Sequence, residues 1–354
     1  MGKKVVVAMS GGVDSSVAAL LLKEQGYDVV GVTMQLWEAG NEHPGSCGSS
    51  LAVHDARQVA SKLGIPHYVF NFREEFRIQV VEYFCQEYLQ GRTPNPCIAC
   101  NRYLKFKLLL SRALAMQADF IATGHYARII RHADTCRLGL YAGLDEGKDQ
   151  SYALYTLNQC QLKHTLFPLG DYTKAQIRQM AENANLSVAA KGESQDLCFV
   201  ASGRYGEFVE KYPGLKLAPG QFRSTRGELL GPHRGIHHYT IGQRKGLGLA
   251  LGYPAYVVGI DPATSTVWVG GNQELFKASL EASNVNYVSG VPLAGPVRLR
   301  AKIRYAAPQV AAWVQPLDQD RIRVDFDAPQ RAITPGQAVV LYDGDEVIGG
   351  GTIV

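Results

Sequence analysis

Over the first two hundred residues, apolar positions recur with two alternating periods. Residues 5–9 form a continuous apolar run of strand length, and residues 13–25 then carry their apolar positions at helical spacing. The exchange repeats. Residues 28–34 predict a second strand and 54–63 a second helix; 67–70 predict a third strand and 74–90 a long helix. A further helix over 106–117 leads into a strand over 120–123. Such alternation predicts right-handed βαβ units on a parallel sheet, whose ligands bind at the carboxyl ends of the strands.

From about residue 205 the pattern changes. Glycine and proline become frequent, and no strong helical period extends beyond Tyr212. Residues 256–260 and 266–269 flank Asp261-Pro262-Ala263 as a hairpin, and 297–305, 311–315, 321–326 and 338–342 predict strands of a small barrel. The expected fold class is α/β: a parallel-sheet nucleotide-binding domain over 1–205, a small central domain over 206–275 and a C-terminal β-barrel over 276–354. No internal repeat or low-complexity tract interrupts this plan.

Composition narrows the class. With 46% hydrophobic and 19% charged residues the chain falls in the range of soluble globular proteins. Its apolar runs are too short to span a bilayer, and Met1-Gly2-Lys3-Lys4 opens no signal-peptide pattern. The expectation is a cytoplasmic monomer with no membrane partner. A formal charge of +4 permits an anionic partner without requiring one. The seven cysteines lie between Cys47 and Cys198, an odd number that favours reduced thiols, metal ligation or catalysis over a disulfide framework.

Ser10-Gly11-Gly12-Val13-Asp14-Ser15-Ser16 follows the first strand and opens the first helix. Paired glycines let the backbone approach an anion, and a helix N-terminus offers unpaired N–H groups and a positive dipole end. This context points to phosphate, with serine hydroxyls as donors and Asp14 as a holder of Mg2+. The segment is neither a Walker A sequence nor Gly-x-Gly-x-x-Gly. It resembles the PP-loop of ATP pyrophosphatases, which implies ATP as cofactor and release of pyrophosphate.

Cys97 and Cys100 form a Cys-x-x-Cys pair in Thr93-Pro94-Asn95-Pro96-Cys97-Ile98-Ala99-Cys100-Asn101, where two prolines predict an extended loop. Cys198 is distant in sequence. Three readings stay open: a sulfur relay between Cys198 and Cys100, an iron–sulfur cluster on Cys97, Cys100 and Cys198, and a zinc site that lacks a fourth ligand at standard spacing. Cys85 reads as a small buried apolar residue within a helix, and His54 as a surface or capping residue.

Taken together, the loop, the Asn95–Asn101 segment, Thr123-Gly124-His125-Tyr126, Lys148-Asp149-Gln150-Ser151-Tyr152, the Cys198 segment, His237-His238-Tyr239-Thr240-Ile241-Gly242-Gln243-Arg244 and Thr334-Pro335-Gly336-Gln337 resemble the tRNA-specific 2-thiouridylases. The resemblance implies ATP-dependent 2-thiolation of a wobble uridine by adenylation of its C2 oxygen. The nucleotide would be enclosed by Ala8, Met9, Ser10, Gly11, Gly12, Val13, Asp14 and Ser15, together with Met34 and Gly124. Cys100 would be the nucleophile and Cys198 the persulfide carrier, in a cycle that includes a disulfide. His125, Lys148, Asp149, Gln150, Arg304, Tyr305 and Gln337 would touch tRNA at its anticodon loop, with Asn95, Pro96 and Cys97 lining the base pocket. A sulfur donor, such as a cysteine desulfurase or sulfur-carrier protein, is implied as a partner. Many members have aspartate where this chain has Cys97, and thiol and carboxyl pKa values differ by about four to five units. The acid–base role is therefore dispensable or moved, or the chain is a cysteine-rich variant that holds a [4Fe-4S] cluster.

The residues themselves add a basic and aromatic stretch at Arg234, His237, His238, Tyr239, Arg244 and Lys245, suited to phosphate contact and base stacking. Arg298, Arg300, Lys302 and Arg304 alternate along a strand and would share one face. Three rivals are carried forward: a PP-loop sulfurtransferase making 4-thiouridine or 2-thiocytidine, an ATP-dependent amide-forming synthetase, and an RNA-binding module.

Overall fold

The structure, a computed structural model, describes residues 2–36, 48–192, 197–200, 204–214 and 218–354. Its first unit is built on β1 (Lys4–Ala8), α1 (Val13–Glu24), β2 (Asp28–Gln35), α2 (Ser50–Leu63) and β3 (His67–Asn71). After β4 (Phe120–Ala122) come a hairpin of β5 (Ala127–Arg131) and β6 (Leu138–Ala142), then helix α5 (Gln159–Lys163) and strand β7 (Thr165–Leu166). A five-stranded sheet in the order β3-β2-β1-β4-β7 results, with every pairing parallel. Val5, Val6 and Val7 of β1 have no exposed surface, as expected of a strand covered on both faces.

Two helical stretches cross one face of this sheet: α3 over residues 73–89 and α4 over 96–115. Each contains a segment of wider, π-type turns, Arg77–Glu82 in α3 and Cys100–Leu109 in α4. The second helix begins ten residues before its expected start, so Cys97 and Cys100 lie in a helical turn and not in an extended loop. The prolines explain the correction. Pro96 occupies the first helical position, where a missing N–H costs nothing, and only Pro94 lies outside. α2 likewise starts at Ser50 because Ser49 caps it, its hydroxyl accepting from the N–H of Ala52 at 3.2 Å. Helix α6 (Lys174–Asn183) was not expected; it opens on a capping box between Thr173 and Gln176.

Helix α7 (Tyr205–Lys211) precedes a four-stranded sheet in the order β10-β11-β8-β9, formed by β8 (Gly220–Ser224), β9 (Leu229–His233), β10 (Tyr256–Asp261) and β11 (Thr266–Gly270). The hairpin expected at Asp261 is present. Its carboxylate accepts from the Ala263 N–H at 3.0 Å and the Thr264 hydroxyl at 2.6 Å, which fixes the turn.

The last unit comprises β12 (Phe276–Tyr287), β13 (Val297–Lys302), β14 (Val310–Pro316), β15 (Ile322–Arg331), β16 (Ala338–Asp343) and β17 (Glu346–Ile353). β12 pairs with both β15 and β17, which closes the barrel. β12 and β17 lie outside the strands expected for the barrel. Glycines at 349–351 mask β17, yet at Gly349 a Cβ would lie 2.2 Å from the Asn286 carbonyl oxygen, so this close approach of β12 excludes any side chain. The β5–β6 hairpin extends the barrel sheet by pairing with β17, which interlocks the first and last units. No helix among the described residues is long and apolar enough to cross a membrane.

The turn 334–337 docks on the segment before α4. Thr93 donates its N–H to the Pro335 carbonyl at 2.8 Å, and the Gln337 amide donates to the Thr93 carbonyl at 3.0 Å. Gly336 has φ +89, and a Cβ there would stand 3.0 Å from both N and O of Thr93. Gly336→Ala should therefore lower stability by at least about 1–2 kcal/mol, the cost of left-handed backbone for a residue with a Cβ. Calorimetry would register this as a lower unfolding midpoint; an unchanged midpoint would mean that the turn is not a structural clamp.

Candidate functional site

The strand order reverses between β1 and β4, and a cavity of about 280 Å³ opens at the carboxyl ends of these strands. Ala8, Met9, Ser10, Asp14 and Ser15 line it from β1 and the loop, Thr33 and Met34 from β2. Gly124 follows β4 and approaches the start of α1 so closely that a Cβ would lie 2.7 Å from the Ser15 nitrogen. α1 has Gly12 at its cap position and no side-chain cap, so its first-turn amides face the cavity end without a built-in acceptor. Gly11, at φ +71, instead packs against α2, where a Cβ would meet the Ala52 carbonyl oxygen at 2.4 Å. Val13 is buried behind the loop. The open amides and the glycine-permitted approaches fit the phosphates of ATP.

Asp14 does not fit as a magnesium holder. Its two carboxylate oxygens take the Lys174 ammonium at 2.6 and 2.8 Å, and one also accepts from the Tyr126 hydroxyl at 2.7 Å. A divalent cation there would have to displace an ammonium already in place. Lys191 braces the loop from the other side, donating to the Gly11 carbonyl at 2.9 Å and to Asp55 at 2.5 Å. Neither lysine carried a sequence signal; both are distant residues that the fold returns to the loop.

The opposite wall carries the thiols. Pro96, Cys97, Cys100 and Cys198 line the same cavity as the loop. Cys97 is exposed, whereas Cys100 and Cys198 are half-buried. Asn95 caps the helix, its carboxamide oxygen accepting from the N–H groups of Cys97 at 3.1 Å and Ile98 at 3.3 Å. Among the described residues, the ligand atoms close enough to share one metal ion belong to Glu210, His237 and His238, away from these cysteines. Zinc on the three thiols therefore has no support. Cys85 is fully buried, and burial pushes its thiol up to about 12, which makes it inert. Cys47 lies outside the described residues.

Residues expected at tRNA divide into four groups. His125 and Gln150 line the cavity, beside Lys105, a residue that sequence reasoning missed five positions after Cys100. His125 is buried between the Thr123 hydroxyl at 2.7 Å and the Lys105 ammonium at 3.4 Å. Asp149 and Gln337 are occupied structurally: Asp149 accepts from the N–H groups of Gly143 at 3.1 Å and Ser151 at 3.0 Å, and Gln337 braces Thr93. Lys148 is half-buried in a turn, donating its N–H to the Asp145 carbonyl at 2.9 Å. Arg304 and Tyr305 are exposed just beyond β13, where Lys302 lies 5.6 Å from the Tyr305 ring centroid.

The basic and aromatic stretch needs correction. His237 and Tyr239 are 2% and 6% exposed and belong to the core, with Tyr239 edge-on to Phe222 at 5.0 Å. Only Arg234, Arg244 and Lys245 are exposed, and they line an open cleft together with Arg204. On β13, Arg298 and Arg300 are exposed and Lys302 half-buried, while Arg304 lies past the strand end.

Burial, and then the Lys105 charge, hold the His125 imidazole well below its ordinary range, so the ring is neutral at pH 7. A histidine with a depressed folded pKa takes up its proton more readily unfolded, so its contribution to stability is lost as pH falls below about 6.5, its unfolded pKa. His125→Gln should weaken the loss of stability between pH 7 and pH 5, measured by denaturant unfolding at both values. An identical loss in both proteins would refute this assignment.

Comparison with known proteins agrees with this architecture. The tRNA methyl transferase HUP domain family matches residues 3–202, the tRNA methyl transferase PRC-barrel domain family residues 206–271, and the aminomethyltransferase beta-barrel domain family residues 277–353. The tRNA-specific 2-thiouridylase MnmA of Acetivibrio thermocellus is 53% identical, with 99% of each chain covered. The enzymes of the same name from Moorella thermoacetica and Clostridioides difficile are 54% and 50% identical, over 98% of both chains and over 100% of this chain and 98% of the relative. A glycine loop at a helix start and the Cys100 and Cys198 thiols lining one cavity, within a chain that aligns end to end with these enzymes at half identity, make it a member of the tRNA-specific 2-thiouridylase family.

Proposed function

We propose that this protein uses ATP to replace the C2 oxygen of a wobble uridine in tRNA with sulfur. One observation carries the reading: the phosphate-binding loop, Cys100 and Cys198 line a single cavity. A nucleotide seated on the first turn of α1 would present its α-phosphate towards the thiol wall. The uridine C2 oxygen attacks the α-phosphorus, the bond to the β-phosphate oxygen breaks, and pyrophosphate leaves. AMP then becomes the leaving group on a carbon that would not otherwise release its oxygen.

In the relay reading, Cys198 carries a persulfide supplied by an external sulfur donor. The terminal sulfur attacks C2, and the C–O bond breaks to release AMP. The Cys100 thiolate then attacks the Cys198 sulfur; the S–S bond breaks, and its electron pair stays on the sulfur bound to C2. A Cys100–Cys198 disulfide remains, to be reduced by an external dithiol. Neutral His125 and Lys105 sit at the same wall, suited to binding a base edge and the negative charge of the adenylate. Exposed Arg304 and Tyr305, with the Arg204, Arg234, Arg244 and Lys245 cleft, supply phosphate and stacking contacts for the tRNA body.

A second reading has its own observation, the presence of Cys97 on the same cavity. Cys97, Cys100 and Cys198 offer a donor set suited to three irons of a [4Fe-4S] cluster, which when bound would supply an open iron for sulfide. In either reading the domain names that mention methyl transfer find no counterpart in the chemistry of the cavity, whereas paired thiols beside a nucleotide loop suit sulfur transfer.

Expression of the chain in a strain lacking its own 2-thiouridylase should restore 2-thiouridine at the wobble position, read by mass spectrometry of tRNA nucleosides. Cys100→Ser and Cys198→Ser should abolish it, while ATP-dependent pyrophosphate release persists. Restoration of 4-thiouridine or 2-thiocytidine instead, or activity that survives both substitutions, would overturn the proposal. Anaerobically purified protein then separates the readings: iron-free, fully active Cys97→Ala favours the relay, and iron and sulfide lost together with activity favour the cluster.

A further inference from the structure

We infer that Glu210, His237 and His238 form a zinc site that fastens helix α7 to the central sheet. Glu210 lies near the end of α7, and the two histidines occupy the single helical turn Ile236–His238 after β9. Their ligand atoms all lie within 4.8 Å of one another. The Nε2 of His238 is 2.7 Å from Glu210 Oε1, and the Nε2 of His237 is 3.7 Å from the same oxygen. Small adjustments of these side chains bring all three onto a tetrahedral ion, with zinc–nitrogen and zinc–oxygen bonds of about 2.0–2.2 Å and a fourth position left to water.

His237 supplies the independent observation. Its side chain is 2% exposed, and its Nε2 has no hydrogen-bond partner. At 3.7 Å the Glu210 oxygen is too far for a hydrogen bond, whichever nitrogen carries the proton. With the proton on Nδ1, a nitrogen lone pair faces a carboxylate across that gap, an arrangement that costs energy unless a cation lies between them.

The surroundings are shaped to both rings. A Cβ on Gly206 would stand 2.1 Å from His238 Nδ1, and one on Gly235 would stand 2.3 Å from His237 Cε1. Gly235 also has φ +151, which favours glycine. Two glycines, one from each of the elements being joined, thus admit the two imidazoles. The donor set of two imidazoles and a carboxylate suits zinc among the available divalent ions. The ion would hold α7, whose Tyr205 hydroxyl donates to the His238 carbonyl at 3.0 Å, against the loop carrying Arg244 and Lys245. Its role is to stiffen the basic cleft, with no part in the reaction at the thiols.

The test uses the full chain freed of metal with a chelator, then titrated with Zn2+ by calorimetry. Because thiols also bind zinc, the titration is run on a Cys97→Ser, Cys100→Ser, Cys198→Ser variant as well. One zinc per chain should bind in that variant and raise its unfolding midpoint. His237→Ala should weaken binding at least about tenfold, as should Glu210→Gln, an exposed change that spares the core. Co2+ in place of zinc should give a spectrum without sulfur-to-metal charge transfer. Zinc binding that disappears with the thiols, or that survives both His237→Ala and Glu210→Gln, overturns the site.

Discussion

The carboxamide oxygen of Asn95 takes the N–H groups of Cys97 and Ile98, and the orientation of both thiols in the Cys-x-x-Cys pair follows from that cap. A cap of this kind contributes about 1 kcal/mol, a modest term with a large geometric effect. Without it, the first turn of α4 would fray, and Cys100 would lose its fixed place opposite the phosphate loop. The cap is itself held from outside the catalytic unit. Pro335 and Gln337 grip Thr93 two residues upstream, so the entry of the chain into α4 is set by the barrel. The wide turns over Cys100–Leu109 then re-phase the helix, so that Cys100 and Lys105 reach one cavity while Leu104, Phe106 and Leu109 remain in the core.

Opposite this wall the governing constraint is electrostatic. A carboxylate on a phosphate-binding loop repels its ligand unless it is neutralised. Lys174 provides that neutralisation at Asp14, in a pair whose lysine side chain is 13% exposed and whose mutual attraction is therefore only partly screened by water. Lys191 adds a second ammonium behind the loop, and Lys105 a third from the thiol side. The cavity consequently combines α1 amides and Lys105 on its lining, with Lys174 and Lys191 holding the loop through Asp14, Gly11 and Asp55. The neutral state of His125 follows first from burial of its ring and then from the Lys105 charge beside it.

How much of this could be read from the sequence depended on whether the cause was local. The parallel sheet, its first two helices and the phosphate loop were legible, because apolar periodicity and a glycine pair at a helix start are local signals. The joining of residues 97, 100 and 198 with the loop was legible only through family resemblance. Pro96 carries two opposed local signals, a missing donor that suits a loop and a fixed φ that suits the first helical position, and the fold uses the second. β17 was hidden because its glycines reflect backbone approach by β12, a tertiary demand with no local trace. Lys174, Lys191 and the neutral state of His125 depend on residues distant in sequence, as does the hydrogen bond of the Gln337 amide to Thr93.

The chain reads as three successive units, yet the hydrophobic core joins the first and last. Leu104, Phe106 and Tyr152 share one buried cluster with Val340 and Tyr342, and the Tyr152 hydroxyl donates to the Ala338 carbonyl at 2.8 Å. With the β5–β6 hairpin in the barrel sheet as well, the barrel cannot tilt without breaking strand pairing and emptying the core. The central sheet differs, since Phe222, Ile236, Val257 and Val267 form a separate small core. Helix α7 packs on the catalytic unit, with Val209 in its core and Tyr205 stacked on Tyr88, and the central unit meets that unit directly through a 3.2 Å hydrogen bond between Thr93 and Thr240. Adjustment around an incoming macromolecule is therefore least costly at the central unit, which carries the open basic cleft, while the thiols and the phosphate loop remain on the part of the molecule that resists deformation.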